Sequence, residues 1–404
     1  MNRRLAFLLI AVLAIKAVLF ALDAEPSFHL QDSAVYLATA IGKWIPPDRS
    51  FFYGLLLRPI ALWPRSLTAM VLMQATLSGI ASWLIAVCLL RYFAVGFRIA
   101  ALCSIACALE PLQLVAERYV ATESVATFVF AVLLLAIFSY LKTSSLSLLA
   151  LIQILAVLLV SLRVSFVPLA WIISFFIPLA SRRAVSFWRS SAQSLRRMPG
   201  GFKWLSGTLF VLLSLLLSVG LSQSLLFGYR HLYGELLDRP PAYTYRAGSL
   251  MAADVPRVEP FRLLKMAVTR YGEFLNAAKL RRGLQVEQGQ FVDALPGETQ
   301  AIQVAFGIDV KKQSFTSLTR KWEQISVFWC WVVILLPAFY LLYLAVNWRR
   351  IRVPHITIEL CGLILLVQAV VPVEYPSPRY LTTLAWLEFI MIGSLGTRLL
   401  KRGE

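Results

Sequence analysis

Charged residues are scarce in this sequence: 15% of 404, against 59% hydrophobic and 12% aromatic, with a mean hydropathy of +0.73. A soluble domain holds about 25% charged and 45–50% apolar residues, so a water-soluble globule and a disordered chain are both excluded. Acidic residues are scarcer still, 21 against 39 Lys and Arg, for a net charge of +18. That excess forms no stripe suited to nucleic acid. It lies in short clusters between apolar runs, as membrane topology is written, so no nucleic-acid partner is expected. Histidine occurs three times, at His29, His231 and His355, too scattered for a ligand set. The five cysteines, Cys88, Cys103, Cys107, Cys330 and Cys361, all fall inside apolar runs, which leaves none outside the membrane for a disulfide. Cys103 and Cys107 share a helix face, but with no third ligand nearby they read as packing. No G-x-x-x-x-G-K-[ST], H-E-x-x-H, G-x-S-x-G or Cys/His metal spacing is present, which argues against P-loop coupling and zinc hydrolysis.

What the chain does have is apolar runs near the roughly 20 residues a spanning helix needs. Ten are read, at 5–22, 66–90, 98–115, 120–141, 145–162, 164–181, 204–227, 324–346, 355–372 and 380–398. The expected fold is therefore an all-α polytopic membrane protein of about ten transmembrane helices. The first run follows Arg3 and Arg4, outlasts a signal-peptide core and lacks a good cleavage site around Ala21–Ala24, so it reads as an uncleaved anchor. The run from Phe51 to Trp63 is short and carries Arg58 and Pro59, which suits a re-entrant or interfacial segment. Three parts follow: a transmembrane module 1–227 with seven spans and a first outside loop 23–65, a polar segment 228–323 that suits a small helical cap, and a C-terminal module 324–404 with three spans.

Charge bias sets the orientation. With both termini in the cytoplasm, the inside segments hold seventeen basic residues: Arg3, Arg4, Arg91, Arg98, Lys142, Arg182, Arg183, Arg189, Arg196, Arg197, Lys203, Arg349, Arg350, Arg352, Arg398, Lys401 and Arg402. The short outside segments hold seven: Lys43, Arg49, Arg58, Arg65, Arg118, Arg163 and Arg379. A multi-pass inner (plasma) membrane protein is expected. Its acidic residues then gather outside: Asp23, Glu25, Asp32 and Asp48 in the first loop, Glu110, Glu117 and Glu123 around the second, and Glu374 in the last. Carriers place polar groups near the midplane of repeated halves. Polar chemistry at one face, with no internal repeat, favours an enzyme at the outer interface.

Four segments offer candidate residues. Asp32 heads an amphipathic stretch from Gln31 to Trp44, followed by Pro46-Pro47 and a second apolar half-helix bearing Arg58. A carboxylate held beside cations at the bilayer surface suits transfer from an anionic lipid donor to a hydroxyl, because one group takes a proton and the others neutralise phosphate. Glu117, Arg118 and Glu123 lie near the outer end of the fourth run, where ionisable groups line a cavity or pair with one another. Arg163, between two apolar runs, suits either headgroups or bidentate phosphate contact. The loop V-P-V-E-Y-P-S-P-R-Y-L presents Glu374, Arg379 and Tyr380 on a path stiffened by three prolines.

Together, Asp32 at the head of an interfacial helix, the P-P-D-R-S-F-F-Y-G-L-L stretch, the acidic Glu123 after Thr122 and the late E-x-x-x-x-R-Y pattern resemble the GT-C glycosyltransferases. The branch is that of protein O-mannosyltransferases, lipid A aminoarabinose transferases and lipopolysaccharide-core transferases. The resemblance implies that Asp32 and Glu123 are catalytic acidic residues. It also implies that Glu374, Arg379 and Tyr380 bind substrate, with Glu117, Arg118, Arg163 and Arg58 nearby. The implied partners are a polyprenyl-phosphate sugar donor, an envelope glycan, lipid or protein acceptor, and membrane lipids. The first loop reads Gln31-Asp32-Ser33, without the Asp-x-Asp or Asp-Glu pair that supports a divalent metal, so no metal site or cofactor is assigned. A non-catalytic flippase, a polysaccharide-export protein and a membrane scaffold are the alternatives.

Overall fold

The computed structural model describes residues 3–29, 32–42, 44–46, 51–181, 184, 201–237, 268–287, 291, 293, 295–310, 316–347, 353–370 and 377–400. Every named element among them is helical. In chain order these are α1 (Arg3–Leu22), α2 (Asp32–Gly42), α3 (Phe52–Leu62), α4 (Leu67–Tyr92), α5 (Phe97–Ala108), α6 (Pro111–Ala116), α7 (Glu123–Thr143) and α8 (Leu146–Leu162). They continue with α9 (Val167–Ala180), α10 (Gly201–Leu237), α11 (Ala277–Glu287), α12 (Glu298–Phe306), α13 (Ser317–Val346), α14 (Val353–Val370) and α15 (Thr382–Leu400). Short 3-10 turns, Val164–Phe166 and Pro378–Leu381, precede α9 and α15.

Among the described residues, five helices are long and apolar enough to cross a membrane: α1, α4, α7, Thr208–Leu232 within α10 and Leu318–Val346 within α13. Their outer faces carry exposed Phe7 and Ile10 on α1, Leu216 and Phe227 on α10, and Phe339 and Leu342 on α13. Apolar surface of that extent fits a membrane protein. The remaining apolar helices are shorter. α8, for example, rises about 26 Å against a hydrocarbon core of about 30 Å. Ten apolar runs thus resolve into five long helices and a set of shorter ones.

Two readings change. The run 98–115 is not one helix. It stops at Ala108, and Glu110 caps the separate six-residue α6 by accepting from the backbone N–H groups of Leu112 (3.0 Å) and Gln113 (2.6 Å). Pro111 explains the break: the residue before a proline is pushed out of the α region, and proline itself suits the first helical position. The second change is at the 227/228 boundary, which α10 passes without interruption as far as Leu237.

α4 sits against α1, α5 and α7, and α8 against α7, α9 and α10. α2 and α3 cross closely because residue 54 is glycine. A Cβ there would lie 2.5 Å from the Thr39 Cβ and 2.8 Å from the Tyr36 carbonyl oxygen. α12 packs on α2, and the Phe291 ring meets Phe28 edge-on at 5.8 Å, so part of the polar segment covers the interfacial helix. The first loop is tied down by a parallel bridge between Ser27 and Tyr119: Ser27 N–H donates to Arg118 O (2.7 Å) and Val120 N–H to Ser27 O (3.0 Å). Ser33 Oγ then donates to Val120 O at 3.0 Å. These bonds bring the start of α2 beside the start of α7.

Candidate functional site

Asp32 lies in the first turn of α2 and Glu123 in the first turn of α7. Each is placed where exposed N–H groups and the helix dipole favour an anion. The other two charges come from irregular chain. Arg163 is the extended residue that ends α8, and Arg379 belongs to the 3-10 turn before α15. Arg379 donates from Nη1 to Asp32 Oδ2 at 2.7 Å and from Nη2 to the Tyr380 hydroxyl at 2.9 Å. Its Nε stands 3.9 Å from Glu123 Oε1. Arg163 donates from Nη1 to the same Glu123 oxygen at 3.2 Å. Both guanidinium carbons lie 4.8 Å from the centre of the Tyr380 ring, a spacing at which the ring face attracts cations. Glu123 is 4% exposed and its Oε2 has no hydrogen-bond partner among the described residues, whereas Asp32 keeps 24% exposure. One carboxylate is thus interior and the other reachable.

The lining is aromatic and rigid. The His29 ring stacks on Tyr119 at 3.8 Å and 6°, and its backbone N–H donates to Ser33 Oγ at 2.8 Å. Burial first, then the cations Arg379 and Arg163, hold the imidazole well below its ordinary value of 6.5, so it stays neutral. Burial, helped by the Glu123 charge, pushes the Tyr36 phenol up to about 12. Tyr53 packs edge-on against Tyr36 at 4.9 Å and is raised for the same reasons. Uncharged aromatic walls lower the local polarity and so strengthen the ion pairs they surround.

No family model, no curated protein and no solved structure matches this chain. Its chemistry is therefore read from the side chains alone.

Asp32, Glu123, Arg163, Arg379 and Tyr380, drawn from four separate parts of the sequence, meet in this one cluster. Arg58 serves elsewhere. Its Nη1 donates to the carbonyls of Ala40 (2.9 Å) and Ile41 (3.3 Å), capping the end of α2. Glu374 lies outside the described residues.

Glu117 and Arg118 belong to a different, fully interior charge chain. Lys16 of α1 donates to Glu117 Oε1, and Arg118 donates to Glu117 Oε2 at 3.2 Å. Arg118 also donates to the carbonyls of Leu114 (2.9 Å) and Leu19 (3.1 Å), and its Nε stands 3.8 Å from Asp23. Asp23 Oδ2 accepts from Thr316 and Thr319 of the α13 start, at 2.7 and 2.5 Å. This chain braces α1, the 117–119 stretch and α13 against one another. Among the described residues no three His, Cys, Asp or Glu side chains gather as a metal would require, and both carboxylates of the cluster face guanidinium groups.

His29 and Tyr36 are the members of the site that sequence reasoning misses. Scattered histidines invite a search for metal spacing only, yet His29 precedes Asp32 by three residues, and that proximity is signal enough to place it at the same helix start.

Proposed function

We propose that this chain is a GT-C-type membrane glycosyltransferase. It moves a sugar from a polyprenyl-phosphate donor to a hydroxyl of an envelope glycan, lipid or protein acceptor. In this reading the chain spans the inner membrane about ten times, keeps both termini in the cytoplasm and works at the outer face. The observation that carries the reading is the pairing of two arginines on one tyrosine ring with two carboxylates at helix N-termini, where bidentate N–H donors and a proton acceptor stand within one cluster. A sugar phosphodiester needs both. The acceptor oxygen attacks the sugar C1 and its proton passes to Asp32. The C1–O bond to phosphate breaks, and the leaving phosphate gains charge that Arg379 and Arg163 neutralise. Holding two substrates in line supplies much of the remaining rate.

A flippase reading would build on the interior chain Lys16–Glu117–Arg118–Asp23. Those groups are locked to backbone carbonyls and threonine hydroxyls, however, which suits a brace better than a moving path. The deciding experiment incubates purified protein reconstituted in sealed proteoliposomes with radiolabelled polyprenyl-phosphate sugars and envelope extract. Label transferred to an acceptor is expected, and movement of intact donor across vesicles without transfer would sink the proposal. The orientation has its own check: a cysteine at Ser194 should resist an impermeant thiol reagent added outside, and ready labelling would invert the topology.

A further inference from the structure

The proposed site contains a competition that the reaction itself would have to resolve. Arg379 spends its two terminal nitrogens on Asp32 Oδ2 (2.7 Å) and on the Tyr380 hydroxyl (2.9 Å), and Arg163 donates to Glu123 Oε1 at 3.2 Å. A phosphate reaches a guanidinium through the same in-plane N–H groups that a carboxylate uses. The Tyr380 ring lies 4.8 Å from both guanidinium carbons, which limits how far either head can swing away. Among the described residues of the cluster, two carboxylates already balance two arginines, and His29 adds no charge. A phosphate added to this set meets a carboxylate on each arginine, and the one on Arg379 Nη1 is Asp32. To take that nitrogen it has to displace the carboxylate.

Resting on the glycosyltransferase reading, we infer that Asp32 is a placeholder for the donor phosphate: the phosphate displaces it from Arg379, and this displacement frees the carboxylate to act as the base. A carboxylate sharing its charge with a guanidinium at 2.7 Å is a weak proton acceptor, and one released from it is stronger. The donor therefore binds before the acceptor hydroxyl is activated, which keeps the base masked until there is a sugar to transfer. Asp32 is the member suited to move, being 24% exposed where Glu123 is 4% exposed.

The reaction then closes the exchange. The acceptor O–H proton goes to the freed Asp32, the acceptor O–C1 bond forms and the C1–O–phosphate bond breaks. A phosphodiester with one negative charge becomes a phosphomonoester with two. Protonated Asp32 no longer competes, so Arg379 holds the product phosphate at the moment its charge is greatest. Loss of the proton from Asp32 restores the competitor and expels the lipid phosphate. The same carboxylate serves as mask, base and release device in turn.

The test measures equilibrium binding of a short-chain polyprenyl monophosphate to the purified full-length protein, with no sugar and no turnover. Asp32→Asn, which keeps the shape but withdraws the competing charge, should bind this probe about tenfold more tightly than wild type, as expected when one charge-assisted contact stops opposing the ligand. Glu123→Gln, which releases Arg163 in the same way, should also tighten binding and provides an arm that does not depend on Asp32→Asn folding. Arg379→Ala should weaken binding by at least about tenfold. Saturable wild-type binding that is unchanged or weaker in Asp32→Asn, unchanged in Arg379→Ala, or tightened more by Glu123→Gln than by Asp32→Asn overturns the placeholder role and leaves the donor class standing. Absence of saturable binding in the wild type overturns the donor class itself, and the placeholder with it.

Discussion

Replacing Asp32 with asparagine is expected to cut transfer by about 10²-fold or more, since general-base catalysis contributes about 10²–10⁴-fold. Asparagine preserves size and hydrogen bonding but takes no proton. The substitution leaves the α2 start in place, because Ser33, not Asp32, makes the bonds to His29 and Val120 that anchor it. Membrane insertion and thermal midpoint should thus stay close to wild type, with the loss confined to kcat. Arg379 loses its carboxylate partner in this variant, so donor binding rises and cannot account for lower activity. The measurement is single-turnover transfer with saturating radiolabelled donor. Retention of more than about a tenth of wild-type turnover would leave Asp32 as an ion-pair partner of Arg379 only and make Glu123 the candidate base.

Arg118→Ala should have the largest effect on folding of any single change. The side chain is 1% exposed and its donors serve two carbonyls and Glu117, with Asp23 close by. Removing it leaves Glu117 with Lys16 alone, takes the nearest cation from Asp23, which keeps only its two threonine donors, and withdraws a donor from the Leu114 and Leu19 carbonyls in the interior. Breaking a buried ion pair costs about 3–5 kcal/mol, comparable with the whole stability of many domains. The expected result is little monodisperse protein on detergent extraction and a sharply lowered thermal midpoint in whatever is recovered. Arg118→Lys should rescue only part of it, since an ammonium cannot reach carbonyls on two sides as a planar fork does. An Arg118→Ala protein with a wild-type melting curve and lost donor binding would place Arg118 in the substrate site after all.

How far the fold is legible in the sequence depends on the range of the interaction concerned. The interfacial helix expected from Gln31 to Trp44 is found as Asp32–Gly42, because its apolar spacing and its N-terminal acid are local signals. Helices at 145–162 and 380–398 are legible for the same reason and are found at Leu146–Leu162 and Thr382–Leu400. The run 98–115 misleads because average hydropathy conceals one Glu-Pro step, and that step ends a helix however apolar its flanks are. Asp32, Glu123, Arg163, Arg379 and Tyr380 stand out by residue type at the ends of apolar runs, and the structure sets them together. Glu117 and Arg118 look equivalent by that rule. What separates them is Lys16, a lone cation inside the first apolar run whose partner is set 101 residues away by the packing of α1 on α4 and the neighbouring stretch. No local pattern encodes a distance of that kind. His29 is hidden for a different reason: its part in the site is a stacked, neutral ring, which metal-ligand spacing cannot reveal.

The Arg379–Asp32 bond spans 347 residues of chain. At a synthesis rate of about 5–20 residues per second, Asp32 would leave the ribosome about 17–70 s before its partner is made. For that interval Asp32 and Glu123 have no Arg379, and the nascent protein holds a carboxylate-rich half-site with Arg163 as its one cation from the final cluster. On the proposed mechanism, a chain halted before Arg379 can insert its first helices and still lack the arginine that would hold a phosphate against Asp32. Under that proposal, activity is expected only after the Arg379 turn and the helix behind it have docked. A ribosome-release time course should show transfer lagging membrane insertion of α1 by the full length of the message, with no partial activity from fragments that end before Pro378.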